Sequence, residues 1–322
     1  MSDINLLLGD ELNEQISVLS CLPSPLTPSP SPLLELAVNH QFSSVKYLSP
    51  KQLLVERLQS ALNLYIYNCG ISAPQLNCHC LNRARHSNQV LYVCAIALQL
   101  SKTLKLPAGE IAQSLAELVL HQSDGQDFSV LVVSPGLIYI ELTQSYLAAL
   151  LQSLAQTPSR LCCLTKHGDQ RKTGDFQFQY AHARCCSILQ LADRQELITL
   201  EPTDSNQVSA LWQIVTPKSI PWFNGEHCLS HPAQLALISQ LLIVLDALYC
   251  PCPSRQSVNW HKVALNLSQA FQTFYSQCRI WGEVKSQNIQ LAQARLGLVL
   301  ITQSVLRLLL QDYLGIIAPS EL

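Results

Sequence analysis

From Lys51 onward the chain alternates apolar and polar positions with helical spacing. In KQLLVERLQSALNLYIYNCG the apolar residues Leu53, Leu54, Leu58, Ala61 and Leu62 fall on one face, with Gly70 placed to stop the helix. The segment from Leu91 to Leu106 predicts a second helix, and Pro107 opens a third that runs through AGEIAQSLAELVLHQ. In FSVLVVSPGLIYIEL two β-branched runs flank Pro135 and Gly136, which predicts two strands meeting at a tight turn. A further helix is expected near Tyr146 to Ala155. Beyond Phe176 the pattern is almost entirely helical. VALNLSQAFQTFYSQCRIWG sets Val263, Leu267, Ala270, Phe271, Phe274, Tyr275 and Cys278 against a polar face of Asn266, Gln269, Gln272 and Gln277. IQLAQARLGLVLITQSVLRLLLQDYL is apolar nearly all round, as the central helix of a bundle would be.

Two breaks in this pattern divide the chain. LPSPLTPSPSP, residues 22–32, cannot enter a helix, so residues 1–50 are expected to form a Pro/Ser-rich flexible tail. TPSRLCCLTKHGDQRKTGD is polar, basic and turn-rich, which suits a linker. The expected organisation is therefore a tail at 1–50, a small α+β domain at 51–147, a linker at 148–175 and an all-α helical bundle at 176–322. The fold class is mainly α. A length of 322 residues suits two domains, each with its own core.

Composition narrows the function classes. Hydrophobic residues make up 48% and charged residues 13%, which argues for buried helices and against disorder over most of the chain. The net charge of -2 advertises no nucleic-acid binder, so such a role must rest on a local patch. Thirteen cysteines behind an N-terminus that mixes acids into its apolar run point to reduced thiols and a cytoplasmic location. No membrane partner is expected, because Gln293, Arg295, Gln303, Arg307 and Asp312 interrupt the most apolar stretch.

Candidate chemistry is sparse. Cys78 and Cys80, Cys250 and Cys252, and the pairs Cys162/Cys163 and Cys185/Cys186 invite a metal, but no Cys-x-x-Cys spacing occurs and none is assigned. No cofactor is expected either. TKHGDQRKTGD lacks the Gly-x-x-x-x-Gly-Lys arrangement of a phosphate loop. The cations Arg160, Lys166, Arg171 and Lys172, with His167, are either a solvated linker or a contact for an RNA backbone.

The blocks QYAHAR (from Gln179), HPAQLALISQLL (from His231), LSQAFQTFYSQCRIWG (from Leu267), ARLGLVLITQSVL (from Ala294) and LGIIAPSEL at the end resemble, in order, the DALR anticodon-binding bundle of arginyl-tRNA synthetases. LYVCAIALQLSKTLKLPAGEIAQSLAE and SPGLIYIEL resemble the additional N-terminal domain of the same enzymes. In that family a large Rossmann-type catalytic core separates the two. Here the gap is Ala148 to Gly174, and no His-Ile-Gly-His-like or Lys-Met-Ser-Lys-Ser-like segment occurs in the sequence. Without groups positioned to stabilise developing charge, aminoacylation by this chain alone is not expected.

The resemblance implies a non-catalytic binder of tRNA, with tRNA-Arg as the first candidate and no role for DNA. It implies that Tyr180, Tyr275 and the final residue Leu322 meet the anticodon loop, where unpaired bases stack on aromatic rings. Arg184, one turn beyond Tyr180, would meet phosphate, and His182 and Arg279 complete the candidate set. In the N-terminal domain, Leu137 stands where the family has a phenylalanine that contacts the D-loop, and Tyr139 lies nearby as a substitute. Read from their positions alone, Tyr275 could equally be a core tyrosine, and His182 and Arg184 could fasten their helix to a neighbour. Two other classes stay open: a protein-interaction scaffold that has lost RNA binding, and an accessory subunit that acts with a separate synthetase in trans.

Overall fold

The structure, a computed structural model, describes residues 47–69, 80–84, 90–121, 127–161, 176–203, 211–223, 229–251 and 258–322. Residues 1–46 of the expected tail, the stop at Gly70, and Lys166, His167, Arg171 and Lys172 of the linker lie outside these residues; the end of the expected tail is instead docked, with Leu48 and Ser49 buried and Pro50 opening the first helix.

Helix α1 (Pro50–Cys69) starts with Pro50 at a position that needs no amide donor, while the Ser49 hydroxyl accepts from the Gln52 amide at 3.1 Å. Its buried residues are those of the expected face: Leu53, Leu54, Leu58, Ala61, Leu62, and then Ile66. Strands β1 (Leu81–Arg83), β2 (Leu91–Cys94), β3 (Phe128–Val133) and β4 (Leu137–Leu142) form an antiparallel sheet in the order β1-β2-β4-β3. Helices α2 (Ile96–Leu104) and α3 (Ala108–His121) complete this module, with α3 packed on α1, α2, β3 and β4.

The helix expected from Leu91 begins only at Ile96. Leu91–Cys94 is a strand, because Tyr92 and Cys94 point into the core while Leu91 and Val93 point out, a period of two that four residues display too briefly in sequence. The β3-β4 turn stands where Pro135 and Gly136 placed it. Gly136 has φ of 141°, and a Cβ there would lie 2.7 Å from that of Ala108, so only glycine lets the turn close on α3.

Helix α4 (Gln144–Gln156) continues through the expected domain boundary and is followed by a 3-10 turn at Pro158–Arg160. The bundle consists of α5 (Phe176–Arg194), α6 (Pro232–Tyr249), α7 (Trp260–Gln277), the short α8 (Glu283–Gln287) and α9 (Ile289–Leu308), which runs on into a π turn at Leu309–Tyr313. α9 is central. It packs against α4, α5, α6 and α7 and is buried almost throughout, although it and α6 are long and apolar enough by composition to cross a membrane. The region is not wholly helical: β5 (Thr199–Pro202) and β6 (Trp212–Thr216) form an antiparallel hairpin that packs on α4, α5 and α9. These strands are short, and β5 ends on Pro202, which hides their period.

All described residues belong to one compact unit. Two polar nodes join its parts. The Asp246 carboxylate on α6 accepts from the Ser49 hydroxyl (2.7 Å), the Lys51 amide (3.1 Å) and the Tyr92 hydroxyl (2.7 Å) of the N-terminal module. Burial raises its pKa, and these donors pull it partly back. Buried Gln152 on α4 accepts from the Ile220 amide and the Trp222 indole at 2.9 and 3.0 Å and donates to the Lys218 carbonyl. Trp222 in turn fills the space over Gly297 of α9, where a Cβ would come within 2.5 Å of its ring.

Candidate nucleic-acid interface

Helix α5 carries most of the chemistry. One side buries Phe178, Ala181, His182, Cys185, Cys186 and Leu189 against the bundle. The opposite stripe keeps two aromatic rings in water: Phe176 is 68% exposed and Tyr180 45%. Four residues apart, they sit one above the other, with ring centroids 6.0 Å apart and planes 28° from parallel. One turn further on, the Arg184 guanidinium lies 4.9 Å from the centroid of Tyr275 on α7, and its Nη2 donates to the Tyr275 hydroxyl at 2.5 Å. Tyr275 is half-buried, its ring 6.2 Å from and nearly parallel to that of Phe271. Phe176 and Tyr180 thus form an exposed ring pair, and Arg184 with Tyr275 a second, half-buried pair one turn further along α5.

On the inner side, His182 is 1% exposed. Its Nδ1 lies 2.7 Å from the Pro319 carbonyl and its Nε2 lies 3.0 Å from Gln303 Nε2 of α9. Both contacts are satisfied when Nδ1 carries the proton and Nε2 accepts. Burial, helped by the Arg307 charge, lowers the pKa of His182 to about 4, against a partial rise from the Pro319 hydrogen bond. Cys186, 3.8 Å from the imidazole, has its thiol pushed up to about 12 by burial. With Gln179 donating to the Ile317 carbonyl, this network pins the segment 315–322 along α5.

Residues 178–322 match the DALR anticodon binding domain family. The helical bundle is a DALR domain. The chain is similar to arginine-tRNA ligases. That of Synechococcus sp. (strain JA-3-3Ab) is 31% identical over 143 residues, 44% of this chain and 21% of the ligase. That of Heliobacterium modesticaldum is 33% identical over 147 residues, 46% and 23% respectively. That of Salinibacter ruber is 29% identical over 154 residues, 48% and 23%. The chain therefore spans about a fifth of the length of the curated relatives it matches. No solved structure matches it.

Of the residues singled out from sequence, the DALR domain pairs Arg184 with Tyr275 and sets the exposed Tyr180 one turn before Arg184 on the same helix. His182 is a correction: it points inward and holds the terminal segment, so it offers no surface to a ligand. Tyr275 is neither a sealed core residue nor an open ring, since Arg184 already occupies it. Arg279 is exposed just beyond α7, its carbonyl accepting from Arg295. Leu322 is 67% exposed at the end of the pinned segment. Leu137 and Tyr139 lie on β4 of the N-terminal module, half-buried on the sheet face opposite Ile138 and Ile140. They belong to a different surface element from α5 and α7.

Sequence reasoning missed Phe176, whose signal was its place one turn before Tyr180. Arg160, read from sequence as part of a solvated linker or as a contact for an RNA backbone, donates to the Ser153 hydroxyl at 2.6 Å. Cys80, Cys94, Cys185, Cys186 and Cys278 are buried, and among the described residues no three His, Cys, Asp or Glu side chains gather as metal ligands.

Proposed function

We propose that this chain binds tRNA on the anticodon side through its DALR domain, in the cytoplasm, and does not charge it. The observation that carries this reading is the exposed ring of Tyr180 beside Arg184 on a domain that matches the DALR family. Anticodon bases are unpaired, and a ring that presents its face to solvent stacks on them without sequence-imposed geometry, at roughly 1 to 3 kcal/mol per base. Similarity to arginine-tRNA ligases supports tRNA-Arg as the ligand. The sequence contains no adenylate-forming motif, which supports a role in sequestration, delivery or sensing.

One observation favours a second reading. The Arg184 guanidinium is committed to Tyr275, so this face has less free positive charge than its composition promises, as a protein-interaction scaffold would. An accessory subunit that supports a separate synthetase in trans combines the two readings.

Titration of tRNA-Arg and of an unrelated tRNA at two salt concentrations tests the proposal. tRNA-Arg should bind more tightly, and Tyr180→Ala should weaken it about tenfold with an unchanged melting temperature. Equal weak binding of both RNAs, indifferent to Tyr180→Ala, leaves the scaffold reading in possession.

A further inference from the structure

We propose that the outer edge of strand β3 pairs two copies of this chain, antiparallel and about a two-fold axis at Leu131, so that their sheets join into one. This pairing is independent of tRNA binding.

A sheet edge presents unpaired amides and carbonyls, and proteins guard it with short strands, charges, proline, bulges or a covering element. The other described strands show such devices. At the far end of the same sheet, β1 has three residues and carries Arg83, whose guanidinium donates to the Ser239 carbonyl of α6 at 2.8 Å. In the small hairpin, β5 ends on Pro202, β6 packs on α4 and α9, and the pairing is irregular between Thr199 and Leu200. β3 differs. Its six residues, FSVLVV, contain neither charge nor proline, hold an unbroken register against β4 and bond to no other strand among the described residues.

The side chains of β3 mark an unfinished sheet. Val130 and Val132 lie on the core side, opposite the buried Ile140 and Ile138, yet both stay half-open at the edge, whereas Phe128 on the same side is buried. On the outer face Leu131 is 59% exposed and continues a row through Tyr139 of β4 to Val93 of β2.

A second copy fits because the strand complements itself. Opposite residues of an antiparallel pair share a face, so a two-fold at Leu131 sets Leu131 against its twin, Ser129 against Val133 and Val130 against Val132. The half-open valines then cover one another, and no charge meets a charge. Glu141 on the outer face of β4 stands opposite Ser129. Its twin would lie four residues along the strands and three strand spacings across, roughly 20 Å away and about twice the screening length at 0.1 M salt. An uncharged edge gives a foreign strand nothing ionic to be chosen by, whereas a copy needs only the matching alternation. The six residues of β3 fall short of the roughly 20 to 30 a side of a standard interface, so the dimer is a weak one that forms as concentration rises.

Sedimentation velocity of the full chain from micromolar to millimolar concentration tests this, with hydrogen exchange on the same samples. The unaltered chain should shift to dimer as concentration rises, while the β3 amides that point away from β4 gain protection. Leu131→Lys and Leu131→Glu, at a site already exposed, should keep the parent's melting temperature at low concentration and should each stay monomeric, because like charges then face each other. Mixed in equal amounts, the two variants should dimerise again, as expected where position 131 meets its own twin. A monomer at every concentration overturns the proposal, and so does a dimer that persists in both variants or that leaves β3 unprotected. A mixture that stays monomeric overturns the two-fold at Leu131. If either variant is unfolded, the exchange pattern of the unaltered chain decides alone.

Discussion

The two sides of α5 invert the usual rule of burial in opposite senses. The inner side hides an imidazole and two thiols against Gln303, while the outer side exposes a phenyl and a phenol ring. The inner inversion is tolerated because every polar contact is answered: Pro319, Gln303 and Cys186 surround His182. Among the described residues the outer inversion has no such answer beyond the pairing of the two rings. A polar residue inside therefore marks architecture here, whereas the rings outside stay accessible to solvent.

The contrast can be broken most directly by His182→Ala. It leaves the Pro319 carbonyl and Gln303 without their partner and opens a void, so urea unfolding should show a loss of about 2 to 4 kcal/mol. Tyr180→Ala on the other side should stay within about 0.5 kcal/mol of the parent. Equal losses from the two would mean that both sides are structural.

Acid should act on the inner side alone. Above pH 6.5, the ordinary value of histidine, His182 is neutral in the folded and unfolded chains and its contribution is complete. As pH falls the unfolded chain takes the proton first, whereas the folded chain resists until about pH 4. Stability is lost across that window, by about 3 kcal/mol at roughly 1.4 kcal/mol per pKa unit. Unfolding followed at pH 7, 5.5 and 4.5 should show this slope, flattened in His182→Ala.

The smallest effect belongs to the edge between the two sides. Arg184→Ala should reduce the slope of log affinity against log salt by about one, as for one lost phosphate contact. An unchanged slope would mean that the guanidinium stays with Tyr275 when RNA binds.

Much of this architecture was legible beforehand because its signals are periodic. The faces of α1 and α7 and the all-apolar α9 follow from spacing alone, and the β3-β4 turn follows from Pro135 and Gly136. The β5-β6 hairpin and strand β2 were not legible, since four or five residues carry too few periods to outweigh helical neighbours. In the candidate site, Tyr180 and Arg184 were recognisable by their place in a block of residues. The inward turn of His182 was not, because its partners come from Gln303 and Pro319, more than a hundred residues away, and only folding brings them together. The pairing of Arg184 with Tyr275 was hidden for the same reason.

The Asp246 junction has a geometric consequence. A single hydrogen bond between the N-terminal module and α6 would act as a swivel, free to turn about one line. Here a hydroxyl from the start of α1, a backbone amide one residue inside it and a phenol from β2 converge on one carboxylate. All three end on the two oxygens of one carboxylate, and a fourth bond, from the Arg83 guanidinium on β1 to the Ser239 carbonyl two turns earlier on α6 (2.8 Å), holds the sheet and the helix at a second, separate point. Any partner long enough to touch the sheet and the bundle together meets a gauge of set span rather than a pair of jaws.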